Sequence, residues 1–208
     1  MPSPHRNRVT PLGDIVATPL RGSWMGNRGI LHRGTEIVSF HRSDLWITCR
    51  LTYRDWRAQQ WQPGHYTVLF FHDEAVSLAA GHRPCALCRR SDYRAFRDAA
   101  LPAGDGPMTA KALDRLLHSQ RIVAGSHRRQ LHPISWPDVP DGVFVLIDDR
   151  PALVLGAALV GWTTMGYREP RSRPAQGVAT VITPPAAVAV LRSGYPVHID
   201  ASAQELAG

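Results

Sequence analysis

The sequence predicts an α+β fold: a small zinc-stabilised β/α domain followed by a mixed, mostly antiparallel α+β domain. Three observations carry this reading. Short runs rich in β-branched and aromatic residues, bounded by Gly, Pro, Asn and Asp, recur along the chain. Regular crossover helices do not separate them, which argues against a doubly wound parallel sheet. Two of the three cysteines stand as Cys85-x-x-Cys88, a spacing at which a tight turn aims two thiolates at one tetrahedral metal ion.

Residues 1–12 are polar and Pro-containing and read as a flexible tail. The first domain then runs over 13–101. Gly13 to Ala17 begins its first strand. The stretch from Arg21 to His32 holds Gly22, Gly26 and Gly29 with Asn27, residues that suit positive φ or close backbone approach. No Gly-Lys-Ser/Thr follows, so it is not a phosphate loop. Glu36 to Phe40 and Leu45 to Tyr53 read as strands joined by the polar turn His41 to Asp44, and Tyr66 to Phe71 as another strand. Asp73 to Ala80 is a short helix closed by Gly81 in the manner of a C-cap glycine. Pro84 stiffens the approach to Cys85, and Ser91 to Ala100 forms the next helix, with Tyr93 and Phe96 on one face.

Leu101 to Pro107, with two prolines and two glycines, is the internal boundary. The second domain spans 108–200. Thr109 caps an amphipathic helix to Gln120 whose apolar stripe is Ala112, Leu113, Leu116 and Leu117. Gly125 to His132 is a basic loop. Strands follow at Val143 to Asp148, Pro151 to Val160 with a continuation to Tyr167, and Val178 to Ile182. Arg168 to Gln176 reads as a charged loop. Pro184-Pro185 opens a helix to Arg192, and Ala201 to Gly208 reads as frayed.

The 208 residues carry a formal net charge of +7, which suits a polyanionic partner, nucleic acid first. Lys111 is the one lysine, so the basic balance also fits a GC-rich coding bias. No apolar run is long enough to span a bilayer, and no apolar segment of a signal peptide follows the basic first residues, so no membrane association is expected. An odd cysteine count argues against a disulfide framework and fits a reducing cytoplasm.

Cys49 is the remaining thiol and the natural third ligand beside Cys85 and Cys88. For the fourth, His32 is preferred because it ends the glycine-rich stretch. His41 is held in reserve, and His72 and His82 compete. Such a Cys3His site is closed and structural. His72-x-Glu74 ahead of Pro84-Cys85-x-x-Cys88 also contains the letters of the zinc deaminase signature, in which the glutamate moves protons for a metal-bound water. A zinc-dependent hydrolase or deaminase-like enzyme on a nucleotide or small molecule is therefore the second functional reading. The second half adds His118, His127, His132, Asp141, Trp162, Tyr167, Tyr195 and His198, with no recognised catalytic spacing. A third reading is a purely structural module that serves protein partners.

The run from Glu74 to Arg89, Glu-Ala-x-x-x-Ala-Ala-Gly-His-Arg-Pro-Cys-x-x-Cys-Arg, resembles the end of the N-terminal metal-binding domain of Ada-type alkylation-repair proteins. The resemblance covers about residues 25–90. It implies zinc at Cys85 and Cys88, an upstream counterpart in Cys49, and association with DNA or RNA. Arg83, Arg89, Arg90, Arg128 and Arg129 are the expected phosphate contacts. That family has two upstream cysteines close together, one of them the methyl acceptor; here Cys49 stands alone.

Overall fold

The computed structural model describes residues 4–100 and 108–208. The predicted boundary at 101–107 lies outside the described residues. In chain order the first half contains β1 (Arg6–Val9), β2 (Ile15–Ala17), β3 (Trp24–Asn27), β4 (His32–Arg33), β5 (Glu36–Ile37), β6 (Ile47–Cys49), β7 (Thr52–Tyr53), β8 (Trp56–Arg57), β9 (Leu69–Phe71), α1 (Glu74–Ala79), β10 (Arg83–Pro84) and α2 (Arg90–Ala99). The second half contains α3 (Ala110–Arg121), β11 (His132–Ser135), a 3-10 turn (Trp136–Asp138), β12 (Phe144–Ile147), β13 (Arg150–Leu155), β14 (Ala158–Thr163), β15 (Gly166–Ser172), β16 (Val178–Val181), α4 (Pro185–Arg192) and α5 (Ala201–Ala207). The class is mixed α+β, as the sequence predicts.

Two six-stranded sheets organise these elements. The second, in the order β11-β16-β12-β13-β14-β15, is antiparallel throughout. The first, in the order β10-β6-β3-β9-β1-β2, is mixed: β1 runs parallel to β9 and β10 parallel to β6. Alternation along the second sheet sends side chains to two different cores. Val143, Val145, Ala152 and Val154 meet Tyr93 and Phe96 of α2, Leu113 and Leu117 of α3, and Val190 of α4. Phe144, Leu153, Val160 and Trp162 meet Phe71, Leu69 and Val9 of the first sheet. All six residues of α1 are buried, and the helix contributes Leu78 to one core and Val76 and Ala79 to the other. Both cores thus draw on residues from each side of 101–107.

The helix caps follow the sequence closely. The Asp73 carboxylate accepts from the Val76 N–H at 2.9 Å and starts α1. The Thr109 hydroxyl accepts from Ala112 at 3.2 Å and starts α3. Gly81, at φ +86°, ends α1: its N–H reaches the Leu78 carbonyl at 2.9 Å and the His82 N–H reaches Ser77 at 2.9 Å.

The structure corrects five expectations. The run from Pro151 to Tyr167 is not one strand but β13, β14 and the start of β15, folded back antiparallel at each step. The tail is not free over its whole length, because Arg6–Val9 form a strand between β2 and β9. Trp24–Asn27, within the stretch expected to offer positive φ or close approach, form β3. The charged stretch after Tyr167 continues as β15 to Ser172, with its outer residues exposed at a sheet edge. Residues Ala201–Ala207 form α5, started by the Asp200 side chain and anchored by buried Ala203.

Candidate metal centre

Parallel pairing of β10 with β6 brings the cysteines together. Arg83 lies beside Ile47 and Pro84 beside Thr48, so the next step of the register sets Cys85 beside Cys49. The Cys85 N–H completes the ladder by donating to the Thr48 carbonyl at 2.9 Å. A tight turn then returns the chain: the Arg89 N–H donates to the Cys85 carbonyl at 3.1 Å, which swings Cys88 back toward the same point. The Sγ atoms of Cys49, Cys85 and Cys88 all lie within 4.8 Å of one another. Cys85 is buried and the other two are half-buried.

This geometry depends on two glycines. A Cβ on Gly26 of β3 would sit 2.0 Å from the Ile47 carbonyl, so only glycine lets β3 lie this close to the strand that ends in Cys49. A Cβ on Gly81 would meet Arg121 Cδ at 2.6 Å, on top of its left-handed φ.

The three thiols share protons. The Cys85 thiol is pulled far down by hydrogen bonds from Cys49 and then Cys88, with backbone N–H groups of Cys88 and Leu87 adding to the effect. The Leu87 N–H stands 3.4 Å from Cys85 Sγ. The Cys49 thiol is pushed far up, because it is hydrogen-bonded to Cys85 and Cys88 and is desolvated. Without a cation the trio stabilises one thiolate and resists further ionisation. A soft divalent ion removes that repulsion and allows all three to ionise.

Around the turn, charged side chains hold the scaffold. Arg83 makes a two-pronged contact with Asp114 of α3 at 2.7 and 2.9 Å. Arg89 pairs with Glu74 at 2.5 Å and Asp92 at 2.8 Å, and stacks over Trp24 at 4.1 Å. Arg129 donates only to the Ile182, Arg121 and Ala79 carbonyls. Of the five arginines expected to contact phosphate, Arg83, Arg89 and Arg129 are therefore spent on internal contacts. Arg90 and Arg128 are exposed.

None of the histidines weighed as a fourth ligand joins the sulfurs among the described residues. His32 is buried, with Nδ1 2.7 Å from the Thr67 hydroxyl and its ring edge-on to Trp61. His41 packs against His118 and Trp46. His72 lies 3.7 Å from Asp200 and against Tyr167. His82 is enclosed by Phe71 and Trp46. Glu74, the proton carrier of the deaminase-like reading, accepts from Arg89, from the Tyr195 hydroxyl at 2.8 Å and from the His198 N–H at 3.0 Å. A buried carboxylate so occupied is a structural hub joining α1 to the C-terminal segment, a role no sequence spacing reveals. Tyr66, which the sequence did not single out, lies near enough for the three thiols to add to the burial that raises its phenol.

Comparison of the chain with protein-family models, curated proteins and solved structures gives no match.

Proposed function

We propose that this is a zinc protein in which Cys49, Cys85 and Cys88 hold one ion that staples the edge of the first sheet to the start of α2. The observation that carries it is the convergence of three sulfurs from two separate segments within 4.8 Å. Thiolate sets favour zinc, copper(I) and iron–sulfur clusters. Zinc suits a site whose role is to fix geometry, since it brings no redox chemistry. The fourth position falls to water or an added ligand. Glu74 is committed elsewhere, so the structural role is the better supported one.

Metal analysis of the purified chain tests this. About one zinc per chain is expected, lost in Cys49→Ser and in Cys88→Ser and retained in His32→Gln. Zinc retained in Cys49→Ser, or none bound by the reduced native chain, would overturn the reading.

Association with nucleic acid is the second reading. It is favoured by the exposed Arg50, Arg54, Arg57, Arg90 and Arg94, which lie close in sequence to the ligands together with Trp56, 49% exposed. Arginine beside an exposed aromatic suits phosphate contact with base stacking. Binding to mixed-sequence single-stranded DNA and RNA should weaken as salt rises. A lack of binding at low salt, or binding that salt leaves unchanged, removes this reading.

A further inference from the structure

Away from the cysteines, three guanidiniums lie inside the molecule without hydrogen-bonding to any carboxylate. Arg28 and Arg121 are each 0% exposed and both stack on Trp46, at 4.0 and 3.9 Å. Arg28 donates to the Gly13 carbonyl at 2.9 Å and to His82 Nε2 at 3.3 Å. Arg121 donates to the Gly81 and Asp44 carbonyls at 2.9 and 2.7 Å and to His118 Nδ1 at 2.8 Å. Arg28 Nη2 and Arg121 Nε are buried with no partner. Arg129 completes the group with carbonyls alone. Buried charge is costly without a counter-ion, and Arg83 and Arg89, which each have one, show the usual solution in this same molecule.

Arg121 leads from this cluster to a cavity of about 530 Å³ at the end of α3, since two of its acceptors, His118 and Asp44, belong to residues in the cavity wall. His41, His127, Arg115 and Ser126 line the wall as well. The His41 ring lies 5.1 Å from that of His118 and 5.7 Å from that of His127. Asp44 also lines the cavity, and its carboxylate lies 3.5 Å from His118 Nε2. We infer that this cavity binds a small phosphate-bearing molecule, with His41, His127 and Arg115 as donors, and with His118, held between Arg121 and Asp44, and the buried Arg121 behind them.

A metal ion fits poorly. Among the described residues only the cysteines bring three ligand atoms within 4.8 Å of one another, and the arginines repel a cation. The volume exceeds that needed for inorganic phosphate and falls in the range of sites for nucleotide-sized molecules. Burial, together with the nearby His118, His127, Arg121 and Arg28, lowers His41 to about 4. A bound dianion opposes that charge and raises the affinity of these rings for protons.

The test is calorimetry and histidine-ring NMR on the full metal-loaded chain, titrated with inorganic phosphate, adenosine monophosphate and a short single-stranded DNA. Expected is saturable one-to-one binding of adenosine monophosphate with a Kd of about 1 mM or tighter. The His41 titration should move upward on binding. Arg115→Gln and His127→Gln, both at exposed positions, should each weaken binding about tenfold, as the loss of a charge-assisted contact does. Zinc content and circular dichroism should stay unchanged, which separates this result from the fate of the cysteine site. Several results would overturn the inference: no binding of either phosphate ligand at about 10 mM, equal binding by both variants, a second zinc taken up by the histidines, or binding of DNA alone.

Discussion

At the scale of single residues, His82 shows how far function-like letters can mislead. It stands three residues before Cys85, yet it is completely buried between Phe71 and Trp46 and accepts from Arg28. Burial first, then Arg28, Arg121 and Arg129, hold its pKa well below the ordinary histidine value. The ring is therefore neutral in the folded chain under conditions that protonate it in the unfolded one. The unfolded state binds the extra proton, so stability falls as pH drops below about 6.5. For this one group the slope reaches about 1.4 kcal/mol per pH unit until the folded ring itself protonates. His41, His118 and His132, also lowered, act in the same direction. Urea unfolding from about pH 7 to pH 5 should show this decline, and His82→Gln should flatten it while keeping an acceptor for Arg28. An unchanged slope in that variant would assign the acid sensitivity to the other histidines. The cysteines were legible in the sequence because a thiol pair at this spacing has few other uses. The fourth-ligand choice was not, because a histidine beside glycines looks the same whether it faces a metal or, like His32, a threonine and a tryptophan.

At the scale of elements, the chain announces its helices better than its strands. Asp73, Thr109 and Gly81 are local signals, and each does locally what its chemistry dictates. Strand β1 carries Arg6, Asn7 and Arg8, and its polar letters hide a strand that exists because β2 and β9 flank it. Strand β15 is similarly disguised by Arg168, Glu169 and Pro170, exposed residues that an edge strand tolerates. The glycine-rich stretch is a place of close approach, as its composition predicts, and it is also a strand, which its composition does not announce. Gly26 gives this a test. In Gly26→Ala the new methyl would lie 2.0 Å from the Ile47 carbonyl, backbone that can yield only by moving β6. Because β6 ends in Cys49, the substitution should both destabilise the fold, by about 1–3 kcal/mol or more, and weaken the proposed zinc binding. A competition with a chromophoric chelator reads the second effect. Loss of stability with unaltered zinc affinity would show that the thiol cluster does not depend on strand spacing.

At the scale of the whole molecule, the two predicted domains are joined through shared interior. Leu78 of α1 belongs with Val143, Val145 and Val190, while Phe144 and Leu153 belong with Phe71 and Val9. Polar contacts run the same way. Asp114 of α3 holds Arg83, two residues before Cys85, Tyr195 and the His198 backbone saturate Glu74, and the Tyr167 hydroxyl and the Asp200 N–H saturate Asp73 at 2.7 and 3.0 Å. Unfolding the second half would strip partners from a buried arginine close to Cys85 and from two buried carboxylates of the first half, a penalty of several kcal/mol. On the proposed zinc reading, the first half should therefore not hold the ion on its own, despite the breaker sequence at 101–107. In urea, zinc release followed with a chromophoric chelator should coincide with loss of far-ultraviolet circular dichroism and with the shift in tryptophan fluorescence, one midpoint for all three. Removal of zinc should lower that common midpoint, since an ion bound only by the folded state stabilises the whole cooperative unit. Two separated transitions, with zinc retained through the first, would instead mean that the cysteine-bearing half folds independently of the sheet packed against it.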